Sequence, residues 1–253
     1  MKKKLFLILP IILVAAVLLM LGRNAKPKPR IAFVIDDWGY NLNNIDLVIQ
    51  IDRPLTISIL PNLRYSRKVA ERILNDAKIH DVILHLPLES KSDMTSEVDT
   101  IRLNMSKEKI ISTLIDDMES IPGIVGVSNH QGSKATGDRR VMVIVLNELK
   151  KRGLFFLDSL TTPDSICSDI AQDIGLRYTV RDVFLDLTDQ TDLEHFESYI
   201  RKQVNELRDV ALKEGKAVGI GHNKEIMLRV IKYSIPEFEK QDIEIVPLKE
   251  LVE

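Results

Sequence analysis

A chain of 253 residues, 45% of them hydrophobic, is long enough to enclose a real core and suits one α/β domain. Its 35 basic and 37 acidic residues nearly balance, but seven of the basic residues and none of the acidic ones lie within positions 1–30. The rest of the chain holds 28 basic against 37 acidic residues, about −9, which argues against the basic face that nucleic-acid binding requires.

Lys2-Lys3-Lys4 precedes Leu5 to Gly22, eighteen uncharged residues dominated by Leu, Ile, Val and Ala. That length is at the lower end of what spans ~30 Å of hydrocarbon. A basic start before a short apolar core is the beginning of an export signal. No small-x-small cleavage site lies before Arg23, so residues 5–22 are expected to stay as an uncleaved signal anchor. Both flanks are basic, so charge does not orient the segment. The export reading puts the domain in the periplasm, anchored to the inner membrane, or outside the cell, and makes it secreted if the signal is cleaved. Cys167 is the single cysteine, which excludes an internal disulfide. Residues 25–29 (Ala-Lys-Pro-Lys-Pro) read as a stiff tether, dividing the chain into an anchor and tether, 1–30, and a domain, 31–253.

The domain opens on Arg30-Ile31-Ala32-Phe33-Val34-Ile35-Asp36-Asp37-Trp38-Gly39, a short β-branched run ending in two carboxylates. It predicts a buried strand. Asn41 to Gln50 has helical spacing. Leu55 to Leu60 is the second predicted strand, and Leu63 to Lys78 an amphipathic helix. Asp81 to Leu86 is the third strand, ended by Pro87. Ser90 to Asn104 has no period and reads as a long loop, which in a compact domain is often functional. Ser106 caps a helix carrying Ile110, Ile111, Leu114, Ile115 and Met118. Ile124 to Ser128 is the fourth strand. A helix opened near Asp138 ends at Gly153, and Leu154 to Leu157 is a fifth strand delivering Asp158. A short helix, Pro163 to Ile174, precedes a sixth strand at Arg177 to Val180. Thr191 to Glu214 is a long helix closed by Gly215, and Ala217 to Gly221 a seventh strand ending at His222. Lys224 to Tyr233 is helical, and Ile243 to Val246 a last short strand. Alternating strands and helices imply parallel strands with right-handed crossovers. Seven or eight such units close into a regular or distorted barrel, with an open doubly wound sheet as the competing architecture. No glycine-rich phosphate loop follows the first strand, which disfavours nucleotide binding.

Of the five histidines, His85, His130 and His222 each fall at the carboxyl end of a predicted strand, as Asp36 and Asp37 do. In a parallel barrel those ends share one face, so residues far apart in sequence converge. Histidine nitrogen with carboxylate oxygen is the donor set that borderline cations such as zinc favour. A single such histidine or aspartate would more simply be a structural hydrogen-bonding group or a helix cap. His80, at the opposite strand end, and His195, on the long helix, read as surface residues.

Five motifs occur in order: Ile-Asp-Asp-x-Gly at 35–39, His-Leu-Pro-Leu-Glu at 85–89, Asn-His-Gln-Gly-Ser at 129–133, Phe-Leu-Asp-Ser at 156–159 and Gly-Ile-Gly-His at 219–222. Together they resemble the divergent polysaccharide deacetylases, a distant branch of the NodB-type carbohydrate esterases, over roughly residues 30–253. The resemblance implies an irregular, deacetylase-like (β/α) barrel of mostly parallel strands. It implies a metal-dependent hydrolase that removes acetyl groups from a cell-envelope polysaccharide or a peptidoglycan-like sugar. Its cofactor would be a divalent metal, zinc first, and its partner a glycan. By the same resemblance Asp36 is the base, Asp37 a metal ligand and His222 the late acid. The esterases draw two histidine ligands from one His-x-x-x-His segment, whereas Glu89 stands four residues after His85. His130 is the preferred replacement; Glu89 is left to bind metal, orient a ligand or cap a loop. The esterases' arginine-proline substrate motif is not visible.

The proposed chemistry gives secondary parts to five more residues. Asn129 and the backbone near Gly132-Ser133 are candidate oxyanion donors. Asp158 either orients His222 or caps a helix. Trp38, the single tryptophan, either stacks on a sugar or plugs the core. The main rival is a catalytically inactive, membrane-tethered carbohydrate-binding or scaffold domain that keeps the metal. Metal-dependent phosphoester hydrolysis ranks last, because no carboxylate cluster for two metals is present.

Overall fold

The computed structural model describes residues 27–76, 79–92, 97–189 and 192–253. The expected anchor, residues 5–22, lies outside the described residues. Among the described residues no helix is long and apolar enough to cross a membrane.

The strands are β1 (Arg30–Trp38), β2 (Thr56–Ile59), β3 (Asp81–Leu88), β4 (Gly126–Gln131), β5 (Phe155–Asp158), β6 (Tyr178–Val180), β7 (Val183–Phe184), β8 (Lys216–His222) and β9 (Glu244–Ile245). The helices are α1 (Ile45–Ile49), α2 (Ser66–Asp76), α3 (Lys107–Ser120), α4 (Arg139–Lys151), α5 (Cys167–Ile174), α6 (Leu193–Glu214) and α7 (Glu225–Glu239). Eight strands form a row in the order β6-β5-β4-β3-β2-β1-β8-β7, and β9 pairs with the start of β1. Every pairing is parallel.

The row curls because its two ends are consecutive in the chain. Val180 ends β6 and Val183 begins β7, and three residues reach at most about 11 Å. The link is bonded at both sides: Arg181 N–H donates to Asp158 O, and Asp182 N–H to Val218 O. The sheet therefore forms an irregular (β/α) barrel, as the alternation predicts, rather than an open doubly wound sheet.

Alternation along the strands sorts side chains into two cores. Ala32, Val34, Ile83, Leu157, Val218 and Ile220 fill the barrel interior, joined by Val246, Leu248 and Leu251 from the end of the chain. Ile31, Phe33, Ile35 and their counterparts on the other strands pack against the helices. Burial at ~25 cal/mol per Å² of apolar area is the main stabilising term of both cores.

Two helix starts carry the side-chain caps the sequence suggests: Ser106 Oγ accepts from Lys109 N–H, and Asp138 from Val141 N–H. Several elements differ from expectation, four of them with a clear physical reason. β3 continues through Pro87 to Leu88. Pro87 O accepts from Ile101 N–H on the side where β2 has already ended, so the missing proline N–H breaks no ladder bond. The helix expected from Asn41 is only Ile45–Ile49, because Asn44 adopts a left-handed conformation at φ 67°. α7 runs past Pro236 to Glu239, held by burial of Ile235 and Phe238. β7, two residues long, carries too little pattern to be read from sequence.

Candidate active site

The two carboxylates of β1 reach one place through a backbone irregularity. Alternation turns Asp36 inward with Ala32 and Val34, and would turn Asp37 outward. Asp37 instead takes φ 65°, and the register with β2 shifts between Ile35 and Trp38. Such a bulge re-aims a side chain, and aspartate tolerates the left-handed region better than most residues. Asp37 thus returns to the mouth of the barrel beside Asp36, while Trp38 enters the helix-side core. Gly39 completes the turn at φ 123°, where a Cβ would lie 2.8 Å from Ser66 Oγ.

Asp37 Oδ1 is the focus of the site. His130 Nδ1 lies 3.2 Å from it and His85 Nε2 3.4 Å. Neither contact has hydrogen-bond geometry, and the oxygen is buried without a hydrogen-bond partner. The three ligand atoms lie within 4.8 Å of one another. Bonds of ~2.0–2.2 Å around a tetrahedral cation give donor separations of about 3.4 Å. The donor set, the orphaned oxygen and these separations therefore fit a divalent cation. Burial alone would raise the Asp37 carboxyl, but His130 and His85 outweigh it and hold it well below the usual range. It is an anion ready for a cation.

Asp36 is buried too, with Oδ2 3.5 Å from His85 Nε2 and Oδ1 lacking a partner. Burial pushes its carboxyl up, against the pull of His85 and His222. A carboxylate raised in this way is a better proton acceptor than one held down. Opposite it in register, at the end of β8, stands His222. His222 Nε2 faces Asp37 Oδ2 at 4.0 Å, and Nδ1 bonds Asp186 Oδ1 at 2.8 Å. Burial would lower this imidazole, but Asp186 reverses the direction and pushes it up to about 9. Asp186 also binds Lys224 Nζ at 3.1 Å. Burial would raise its carboxyl, and the contacts from His222 and Lys224 hold it down.

The remaining expected residues divide. Asn129 and Ser133 line the cleft, but Asn129 Oδ1 accepts from Ser159 N–H and its Nδ2 donates to Gln131 O. Ser133 Oγ bonds Ser90 Oγ and accepts from Lys91 N–H. Both fasten loops at the mouth. Glu89 takes the loop reading and faces away from the cation position: it accepts from Leu103 N–H and Lys134 Nζ. Trp38 is the core plug, 0% exposed, and not a sugar platform. Asp158 does not orient His222; it accepts from Leu160 N–H, Ser165 Oγ and Tyr178 Oη. His80 is not a surface residue. It is buried, accepting at Nδ1 from Leu55 N–H, with Nε2 against Val48 O. His195 is exposed, as expected, beside Asp192.

Sequence reasoning missed Asp186, Arg181 and Phe184. Val183-Phe184-Leu185-Asp186 repeats, in a run too short to stand out as a strand, the pattern of an apolar run ending in an acid that marks Asp36 and Asp158. The ring of Phe184 lies nearly parallel to that of His222, 6.4 Å away, under the Arg181 guanidinium at 3.8 Å. Arg181 donates to the carbonyls of Ser159 and Leu160 and so shapes the rim. The whole cleft measures about 570 Å³, within the range of small-molecule sites.

A curled parallel barrel with aspartates and histidines converging at its strand ends has the NodB-like (β/α) fold of sugar deacetylases. The chain belongs to the divergent polysaccharide deacetylase family, whose model matches residues 33–252. It is 32% identical over 210 residues to the uncharacterized protein YibQ of Escherichia coli K12, covering 82% of this chain but only 63% of that relative's length. Among solved structures it resembles the uncharacterized protein ATU2773 of Agrobacterium tumefaciens C58, with a TM-score of 0.82 and 23% identity, over 90% of this chain and 91% of that one. It also resembles the catalytic domain of the peptidoglycan N-acetylglucosamine deacetylase of Eubacterium rectale, with a TM-score of 0.54 and 15% identity, over 88% of this chain and 90% of that one.

Proposed function

We propose that the protein is a metal-dependent deacetylase of a cell-envelope glycan, with Asp37, His85 and His130 as ligands of a divalent cation, zinc first. The observation that carries this reading is the pair of imidazoles aimed at the orphaned Asp37 Oδ1, with Asp36 and His222 beside them. Once bound, the cation supplies Lewis acidity toward the acetyl carbonyl and acidifies water. Asp36 takes the proton of the attacking water, at the oxygen that lacks a partner. His222, kept protonated by Asp186, delivers a proton to the departing amine or alkoxide. Family membership supports a polysaccharide substrate, and the E. rectale likeness makes an N-acetylated peptidoglycan sugar the first to try.

The test is acetate release from acetylated glycan oligomers by the purified protein, before and after chelation and with zinc restored. Release that depends on the cation supports the proposal. A protein that binds zinc and glycan but frees no acetate belongs to the rival, inactive scaffold reading.

We further propose that residues 5–22 hold the domain on the outer side of the inner membrane. A reporter that works only outside the cytoplasm, fused after Glu253, is expected to be active; activity of a cytoplasm-only reporter overturns the placement.

A further inference from the structure

The barrel interior contains two hydroxyls that the chemistry above does not use. Ser58 of β2 and Ser128 of β4 are both 0% exposed. Apolar side chains such as Val34, Ile83 and Ile220 fill the layer beneath them. Burying a hydroxyl without a partner costs ~1–3 kcal/mol, so their bonds matter. Ser128 Oγ lies 2.8 Å from His85 Nδ1 and 2.8 Å from Ser58 Oγ. Ser58 shares the inner face with Asp36, and its hydroxyl helps to hold the Asp36 carboxyl down against burial.

Register explains why they meet. His85 and Ser128 are direct partners between β3 and β4, and Ser58 pairs with Ile83, two residues before His85 on the same face. Asp36, Ser58, His85 and Ser128 therefore face inward from four adjacent strands, β1 to β4.

The chain of bonds has only one direction compatible with a metal ligand. A cation needs the lone pair of His85 Nε2, so the ring proton must sit on Nδ1. Nδ1–H then donates to Ser128 Oγ. The Ser128 proton must go to Ser58 Oγ, which leaves the Ser58 proton to turn toward the Asp36 carboxyl. Asp36 in its ionised form, the form a base needs, offers only acceptors and so favours this polarity. The opposite polarity would need a donor at Asp36 and would put a proton on Nε2, facing the cation.

We propose that Ser58 and Ser128 are positioning residues whose hydrogen-bond chain holds His85 in its Nδ1–H tautomer, with Asp36 favouring the polarity of that chain. This rests on the reading of His85 as a cation ligand.

The test uses the full chain in detergent micelles with ¹⁵N-labelled histidine. Two quantities are read: the His85 tautomer in metal-free protein at about pH 8, above the ordinary imidazole pKa, and zinc affinity by chelator competition. Wild type is expected to show Nδ1–H at His85. Ser128→Ala removes the acceptor of that proton. Ser58→Ala leaves the Ser128 proton free to turn toward Nδ1. Each is expected to lose the pure Nδ1–H signature and to weaken zinc binding by about 10–100-fold, the usual effect of removing a ligand's hydrogen-bond partner. The double variant is expected to lose no more than the worse single one, because the two act in series. Ser128→Thr keeps the hydroxyl and is expected to restore both readouts.

An Nε2–H tautomer in metal-free wild type overturns the proposal. So does unchanged zinc affinity in Ser128→Ala, or additive losses in the double variant. A wild type that binds no zinc, yet shows the Nδ1–H tautomer and its loss in both variants, upholds the hydrogen-bond chain and overturns the cation reading instead.

Discussion

Asp158 and Asp186 follow apolar strand segments on the same rim of the barrel, and both are buried. They do opposite things. Asp158 accepts from a backbone N–H and two hydroxyls, all neutral donors, and so ties the turn after β5 to α5 and β6. Asp186 faces an imidazole and an ammonium and lends them its charge. Position at a strand end makes a carboxylate available. The groups that meet it decide whether it fastens structure or tunes a proton. Asp36 lies further along this series, with one oxygen meeting no donor at all.

That ranking predicts the largest effect at Asp36. Asn keeps its size but cannot act as a carboxylate base. Asp36→Asn is expected to keep the fold and the zinc, and to lose ~10²–10⁴-fold in acetate release, the usual contribution of general base catalysis. A variant that holds zinc and still works at the parental rate would end the base assignment. Equal zinc loss in Asp36→Asn and His130→Ala would mean that the two aspartates exchange roles.

The pair itself gives the next test. Asp186→Asn removes the charge that pushes His222 up to about 9. His222 then loses its proton at lower pH, so the alkaline limb of the activity profile should move to lower pH. At neutral pH the rate should fall about 10–100-fold, less than the full contribution of a general acid. Asp158→Ala should instead leave the pH profile in place. It leaves three donors unpaired and should lower stability on the order of 3 kcal/mol, read as a lower urea midpoint. If Asp158→Ala moved the pH limb and Asp186→Asn did not, the division drawn between them would be reversed.

The parallel alternation of strands and helices and three of the histidines were legible because apolar runs and strand ends are local signals. The aspartate pair was legible as a pair. Its convergence was not, since strict alternation sends Asp36 and Asp37 to opposite sides, and only the left-handed Asp37 brings them together. Asp186 was hidden for another reason. β7 pairs only through Val183 and Phe184, too short a run to register as a strand, so the acid after it lost its context. Ser58 and Ser128 look like ordinary breaks in apolar strands until register sets them beside His85. His80 reads as exposed because a histidine before a strand has no pattern to mark it as buried.

The smallest effect on acetate release belongs to a buried carboxylate far from this chemistry. Asp117 of α3 is 0% exposed; its Oδ1 accepts from Asn62 Nδ2 at 2.9 Å, and its Oδ2 has no partner. Asn62 also donates to Asp99, so one neutral amide bridges the two acids. Burial first, then Asp99 and Asp116, push the Asp117 carboxyl up to about 8. The unfolded chain releases this proton near its ordinary value of about 3.9. Between those two values the folded state holds more protons than the unfolded state, so raising the pH destabilises the fold. The contribution is complete below about pH 4 and is lost as the pH passes 8. Asp117→Asn keeps the shape and the Asn62 contact but has nothing to ionise. Its stability relative to wild type should therefore rise steadily from pH 4 to pH 8 in urea titrations, while acetate release at neutral pH stays unchanged. Parallel stability curves would mean that Asp117 keeps its charge in the fold, and it would then join Asp186 as a carboxylate held by a cation rather than stand apart from it.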